Sequence, residues 1–269
     1  MAAPRVDVDA IGALIVEVSE RVIVPRFRAL AAGDVSDKGP DDVVTVADTE
    51  AEELITAQLL ATCPGVPVIG EEAVAADPRL VENLDELATY WLLDPLDGTA
   101  NFVAGDPAFG VMLALVHRRE TVASWILLPV PDRLYVAELG SGAFVDGERV
   151  PPRPLRPPGA MRAWLSTRYL PSPWSQIVAR NQSRFAEVSS GPGSAASAYT
   201  GILDGDAEVG LLWRTQPWDH APGALLLREA GGAARRFDGS DYRPGDDQSG
   251  LLLTADADSW GTVSTTLLG

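Results

Sequence analysis

The sequence predicts an α+β fold, and three observations carry the prediction. Ile11, Leu14, Ile15, Val18 and Val22 recur at helical spacing, so an amphipathic helix opens the chain. Short apolar runs at 109–116, 121–128 and 134–138 follow later, with only Arg118-Arg119-Glu120 and Pro131-Asp132-Arg133 between them. Connections that short join antiparallel neighbours, because a parallel crossover needs about a dozen residues. Residues 150–159 then hold five prolines, which read as a stiff connector. A domain boundary is expected there. Residues 1–150 form an N-terminal α+β domain with an antiparallel sheet, and residues 151–269 a C-terminal α/β domain.

In chain order, the first helix is expected over 7–30, kinked at Pro25. Residues 33–40 read as a polar loop carrying Lys38. Residues 43–47 read as a strand, and Asp48 as the N-cap of the helix that follows, with acids in its next turn. Pro67-Val68-Ile69 is an apolar strand stopping at Gly70-Glu71-Glu72, and adjacent acids on an extended chain face opposite sides. Residues 73–88 look helical and acidic. Trp91-Leu92-Leu93 is a short buried strand that stops at Asp94, and Asp94-Pro-Leu-Asp97-Gly98 reads as a turn. The meander at 109–138 follows, with turn signals at Gly140-Ser-Gly and Asp146-Gly147.

Past the connector, strands are expected at 163–166, 187–190, 207–212, 234–237 and 251–254. Helices are expected at 175–185, 195–203, 217–230 and 262–268. In the third of these Asp219 sits at the cap, Pro222 in the first turn, and Gly231-Gly232 past the end. Gly191-Pro-Gly193-Ser194 leads into the helix at 195, an entry that can offer backbone N–H groups to an anion.

Composition narrows the function. The chain has 269 residues, enough for a sizeable core without staples. A single cysteine, Cys63, excludes an internal disulfide and fits a reducing cytoplasm. The N-terminus lacks the apolar core of a signal peptide, and no apolar run is long enough to span a bilayer. A formal net charge of -17 argues against nucleic-acid and membrane partners. Arg118-Arg119 and Arg235-Arg236 are the basic clusters of the chain.

Four acidic positions stand at the ends of expected elements: Asp48, Glu71/Glu72, Asp94/Asp97 and Asp219. Brought to one mouth, they would make an all-oxygen cage of the kind that holds Mg²⁺. Other chemistries fit less well. His117 and His220 have no Gly-x-Ser-x-Gly elbow, Cys/His zinc spacing or Walker motif beside them.

Asp94-Pro-Leu-Asp-Gly-Thr-Ala-Asn-Phe102 resembles the first signature of the inositol monophosphatase family. Trp218-Asp-His-Ala-Pro-Gly-Ala-Leu-Leu-Leu-Arg-Glu-Ala-Gly-Gly232 resembles its second. Val44-Thr-Val-Ala-Asp48 and Gly70-Glu-Glu72 stand where further acidic motifs of the family stand, and the order agrees over about residues 8–255. The resemblance implies a layered αβαβα sandwich and a Mg²⁺-dependent, lithium-sensitive phosphomonoesterase. It implies a small phosphorylated substrate, two or three Mg²⁺ ions, a cytoplasmic location and a homodimer. Glu71, Asp94 and the Leu96 carbonyl would hold one ion, and Asp94, Asp97 and Asp219 a second. Glu72 would support a third. Asp48, Thr99 and Glu71 would be catalytic, with Asp48 and Thr99 orienting and deprotonating an attacking water. Asp97 and the backbone N–H groups of Gly98 and Thr99 would meet the phosphate side, and Gly193, Ser194 and Ala195 the substrate.

One departure bears on the substrate. Members acting on inositol phosphate often carry a glutamate shortly before the Trp-Asp pair. Here Leu211-Leu-Trp-Arg-Thr-Gln-Pro217 occupies that region, about two residues longer, and holds no acid; Arg214 within it could prefer a second phosphate or another anion. Inositol monophosphate is the default, with fructose 1,6-bisphosphate, histidinol phosphate and 3'-phosphoadenosine nucleotides as alternatives. A non-catalytic regulator that binds metal or phosphate is the alternative of another class.

Overall fold

The computed structural model describes residues 4–39, 42–154, 156–246 and 248–269. Pro40 of the expected polar loop and Leu155 of the proline-rich connector lie outside them.

Helix α1 (Val8–Val18) opens the fold and continues as a π turn over Ser19–Ile23 and a 3-10 turn over Val24–Arg26. The expected helix over 7–30 is therefore shorter and changes winding before Pro25, which sits in the 3-10 turn. The polar loop is instead a hairpin. Strand β1 (Val35–Gly39) pairs antiparallel with β2 (Asp42–Thr45), so Lys38 sits on a strand. Helix α2 (Val46–Thr62) begins at once, and its N-cap is Thr45, three residues before Asp48.

Strand β3 (Val68–Gly70) leads directly into α3 (Glu71–Ala76), and the acidic stretch after α3 holds only two 3-10 turns. Strand β4 (Thr89–Asp97) runs through both acids of the first signature, with an irregularity between Asp94 and Asp97 where the turn was expected. A short helix α4 (Thr99–Ala104) follows. Then come β5 (Gly110–His117), β6 (Glu120–Leu128), β7 (Arg133–Glu138), β8 (Gly142–Val145) and β9 (Glu148–Arg149). Strands β4 to β9 form the expected antiparallel meander, and β3 joins its edge parallel to β4.

Beyond the connector lie β10 (Arg162–Leu165), α5 (Trp174–Asn181), β11 (Glu187–Ser189), α6 (Ala195–Asp204) and β12 (Val209–Leu212). Then come α7 (Pro217–Glu229), β13 (Ala233–Arg235), β14 (Leu251–Thr254) and α8 (Trp260–Leu268). Their strands form one sheet of order β11-β10-β12-β14-β13. It is mixed: β10 is parallel to both β11 and β12, while β14 is antiparallel to both β12 and β13.

Burial is nearly continuous along the central strands β4, β5 and β14, so both faces of both sheets must be covered. On β4, Trp91 and Leu93 pack with Ile15 of α1 and Ile55 of α2. Tyr90 and Leu92 face the other way, toward Tyr199 of α6 and Leu225 of α7. Leu251 and Leu253 of the second sheet join that same cluster from beyond the helices. Leu252 faces outward to Val178 of α5 and Val263 of α8. The layers are α1/α2, first sheet, α6/α7, second sheet and α5/α8, the αβαβα sandwich the resemblance implied. One apolar cluster draws on both sides of the connector. No helix of the described residues is long and apolar enough to cross a membrane.

Candidate active site

Period-two alternation decides where the first acid points. Tyr90 and Leu92 face α7, so Asp94 faces the same way, toward the N-terminal turn that carries Asp219. Strands β3 and β4 pair with Gly70 opposite Leu93, which brings the first residue of α3, Glu71, beside Asp94. One carboxylate oxygen each of Glu71, Asp94 and Asp219 lies within 4.8 Å of the others. The N-cap of α7 is Gln216 rather than Asp219, which sits in the first turn after Pro217. Acids in that turn are favoured by the helix dipole.

Asp94 is 2% exposed and accepts the Leu96 N–H at 2.9 Å. Burial, then the charges of Glu71, Asp97 and Asp219, push its carboxyl well above the usual carboxylate range. Such a group is costly to keep ionised without a cation. The donors here are all oxygens, as a hard divalent cation requires, so the residues fit Mg²⁺. The cluster opens on a cavity of about 410 Å³ that Leu96, Asp97, Gly98 and Thr99 also line.

Asp97 has another partner. Its carboxylate accepts the Ser194 hydroxyl and the N–H groups of Ala195 and Ala196 at 3.2 and 2.7 Å. The first turn of α6, expected to offer its amides to an anion, therefore holds an acid of the protein itself. Burial raises the Asp97 carboxyl, and these bonds oppose the rise. Asn101 Nδ2 donates to the carbonyls of Ala108 and Pro192, tying the loop of Gly193, Ser194 and Ala195 to α4. Gly98 has φ +83°, and a Cβ there would lie 2.9 Å from the Ala108 carbonyl and from Ser194 Cβ.

Asp48 is 1% exposed and held on both oxygens. Oδ2 accepts the Thr45 N–H at 2.8 Å and the Thr45 hydroxyl at 2.5 Å, closing a capping box. Oδ1 lies 2.9 Å from Thr99 Oγ1, which also lies 3.0 Å from the Leu96 carbonyl. Burial raises the Asp48 carboxyl against the pull of these bonds. Glu72 is not among the three converging acids and meets Lys38 Nζ at 2.5 Å, which also reaches Glu71 at 3.0 Å. Burial pushes Glu72 up to about 7 despite Lys38. Burial opposes the Lys38 charge, but the two glutamates raise its pKa above the ordinary value.

Four residues of this site carried no functional reading in the sequence. Thr45 could have been found, because Thr45-x-x-Asp48 has capping-box spacing. Lys38 is the chain's single lysine, which is a weak signal at most. Glu52 lies one turn past Asp48 on the same face of α2 and accepts the N–H groups of Glu72 and Ala73 at 2.9 and 2.8 Å. Asn101 had no signal of its own.

A second cavity of about 240 Å³ adjoins the first, sharing Asp97, Arg214 and Asp219 and lined by Trp164, Tyr169 and Trp213. Arg214 is exposed at the junction, its guanidinium stacked 3.5 Å from the Tyr169 ring centre. Behind it, buried His220 hydrogen-bonds the Arg214 carbonyl through Nε2 at 2.9 Å and the Tyr199 hydroxyl through Nδ1 at 3.2 Å. Burial lowers His220 to about 4. A neutral ring with both nitrogens bonded is a structural support. His117 pairs with Thr89 at the far end of β4, and Cys63 is the C-cap of α2.

The model of the inositol monophosphatase family matches residues 7–261. An inositol-1-monophosphatase of Mesorhizobium japonicum is 36% identical over 217 residues, covering 76% of each chain. A fructose-1,6-bisphosphatase/inositol-1-monophosphatase of Thermotoga maritima is 33% identical over 205 residues, covering 76% of this chain and 75% of that one. Among solved structures, the extragenic suppressor protein suhB of Bartonella henselae superimposes with a TM-score of 0.79 at 27% identity, covering 96% and 98% of the two chains.

Proposed function

The chain belongs to the inositol monophosphatase family and is a metal-dependent phosphatase, and from that premise we propose that it hydrolyses a small phosphate monoester with Mg²⁺. The convergence of Glu71, Asp94 and Asp219 oxygens within 4.8 Å carries the reading. These three would hold the metal, with the Leu96 carbonyl and Asp97 completing the set as two ions bind and Glu72 supporting a third. Bound there, Mg²⁺ supplies Lewis acidity, which lowers the pKa of water and neutralises phosphate charge. Asp48 and Thr99 orient the attacking water, and the Asp48–Thr99 pair takes its proton. Asp48 suits that role because its raised carboxyl is fixed by Thr45 and aimed by Thr99. Gly98 and Thr99 start α4 and turn their backbone amides to the phosphate, while Gly193, Ser194 and Ala195 flank the alcohol portion. Water attacks phosphorus in line as the opposite bond to the ester oxygen breaks, and the alcohol leaves with a proton from solvent, without a phosphoenzyme.

Inositol monophosphate is the first substrate to test, following the Mesorhizobium relative. Fructose 1,6-bisphosphate is the second. Arg214 stands where both cavities meet, and a second phosphate would meet its guanidinium there. The assay is phosphate release from inositol, sugar, nucleotide and histidinol phosphates, with and without Mg²⁺. Release that needs Mg²⁺ is expected for at least one of them, and no turnover of any would overturn the proposal. We also propose lithium inhibition, read in the same assay, and a homodimer, read by light scattering.

A further inference from the structure

The C-terminal end of α7, opposite Asp219, borders a separate cavity of about 320 Å³ that none of the candidate active-site acids lines. Arg119, Arg228, Arg235 and Arg243 line it against two carboxylates, Glu120 and Asp241, an excess of two positive charges. The fold thus brings one member of each basic pair of the sequence to this cavity, Arg119 from the β5–β6 turn and Arg235 at the end of β13. It does so in a chain of formal net charge -17.

Among the described residues these guanidiniums are held only by exposed ion pairs and, for Arg235, by the Trp260 ring 5.6 Å away. Arg243 has no ion pair or side-chain hydrogen bond among the described residues, and Arg119 Nε is buried without a partner. The other contacts are exposed. Arg119 meets Asp85 at 2.7 Å, Arg228 meets Glu120 at 3.6 Å and Arg235 meets Asp241 at 3.1 Å, with the acids 51%, 51% and 71% exposed. Exposed pairs of this kind are weak and exchange readily with an incoming anion. The backbone points the same way. Arg118 and Arg119 have φ of 50° and 63°, a left-handed pair at which a hairpin favours Asn-Gly. The turn spends local stability on two arginines, as backbone at binding sites commonly does.

We propose that this cavity binds a small polyanion, a compact molecule bearing two or more phosphate groups, at a site separate from the carboxylates. Several guanidinium forks converging on one concave space match phosphate oxygens bidentately. The concave shape suits a compact ligand, and the overall charge repels an extended nucleic-acid strand. The inference does not depend on which monoester the acids process.

Isothermal titration calorimetry with inorganic pyrophosphate in EDTA tests it, because without a divalent cation the acid cluster repels anions. The expected result is one binding site whose affinity falls as salt is raised. Replacing both Arg119→Gln and Arg243→Gln should weaken it by about tenfold or more. Arg243→Glu alone, at an exposed position, should weaken it with the circular dichroism spectrum unchanged. No binding at millimolar pyrophosphate would overturn the proposal, as would unchanged affinity in the arginine variants. Tighter, arginine-dependent binding of a short single-stranded RNA would overturn the small-molecule class.

Discussion

Replacing Glu52→Gln should loosen the metal site without touching any residue that faces the metal. The Glu52 carboxylate accepts the N–H groups of Glu72 and Ala73 at 2.9 and 2.8 Å, so α2 supplies the cap that α3 lacks. Glutamine keeps one acceptor and turns an NH₂ toward the other amide. One charge-assisted bond is lost and the remaining one weakens, while relief of a buried charge offsets part of the loss. The net is about 2 kcal/mol of destabilisation, or roughly 4–8 °C in Tm for a chain of this size. The first residue of the uncapped helix is Glu71, so Mg²⁺ affinity should fall about tenfold or more, as for other residues that orient metal ligands. Gly70→Ala should produce the same defect from the other side, since a Cβ there would lie 2.3 Å from Glu52 Cδ. The two substitutions act on one contact and should combine less than additively. Thermal denaturation in EDTA reads the first effect, and calorimetric titration with Mg²⁺ the second. The exposed neighbour Glu53→Gln is the control, with no expected change. An unchanged Tm would refute the capping argument, and wild-type Mg²⁺ affinity in a destabilised Glu52→Gln would refute positioning of Glu71.

Gly98→Ala should lower Tm and phosphate release together, because φ of +83° and the 2.9 Å approach to the Ala108 carbonyl leave no room for a methyl group. The left-handed backbone alone costs about 1–2 kcal/mol, and a variant as stable as wild type would count against it. Asp97→Asn should lose phosphate release by about 100-fold or more and keep its circular dichroism spectrum, since asparagine still accepts from the first turn of α6; retained turnover would remove Asp97 from the site. His220 gives a pH signature. The folded ring stays neutral down to about pH 4 while the unfolded ring protonates below 6.5, so its contribution is complete above 6.5 and is lost as the pH falls to 4. That loss is about 3 kcal/mol, and denaturant titrations in EDTA should show it in wild type and not in His220→Phe; parallel pH profiles would contradict it.

The positions of the acids were legible because strand ends and helix starts carry local signals. Asp94 closes an apolar run, Glu71 follows Gly70 at another, and Asp219 follows a proline that starts α7. Each depends only on neighbours a few residues away. What the acids bond to depends on the fold. Nothing in residues 33–40 shows that a hairpin will carry Lys38 onto Glu71 and Glu72. Strand pairing with Asp42–Thr45 overrides the polar, glycine-containing composition that reads as loop. The Asp94–Asp97 turn was misread for a similar reason. Proline and glycine mark turns in isolation, but pairing with β5 extends the strand around an irregularity.

The partners of the acids explain why Asp94 is the centre of the proposed metal site. Glu71 and Glu72 share Lys38. Asp97 is met by the first turn of α6 and by Ser194. Asp48 is held by Thr45 and Thr99, and Asp219 lies in the favourable first turn of α7. Asp94 is buried with the Leu96 N–H as its partner among the described residues, facing the charges of Glu71, Asp97 and Asp219. The fold answers the charge of every other acid with a donor or a dipole of its own. Asp94 has one backbone N–H against three neighbouring carboxylates, and an oxygen each of Glu71 and Asp219 lies within 4.8 Å of one of its own, so a divalent cation there would neutralise them together. On the proposed reading the cluster is an unfinished coordination shell, and an ion that completed it would relieve repulsion as well as prepare the chemistry.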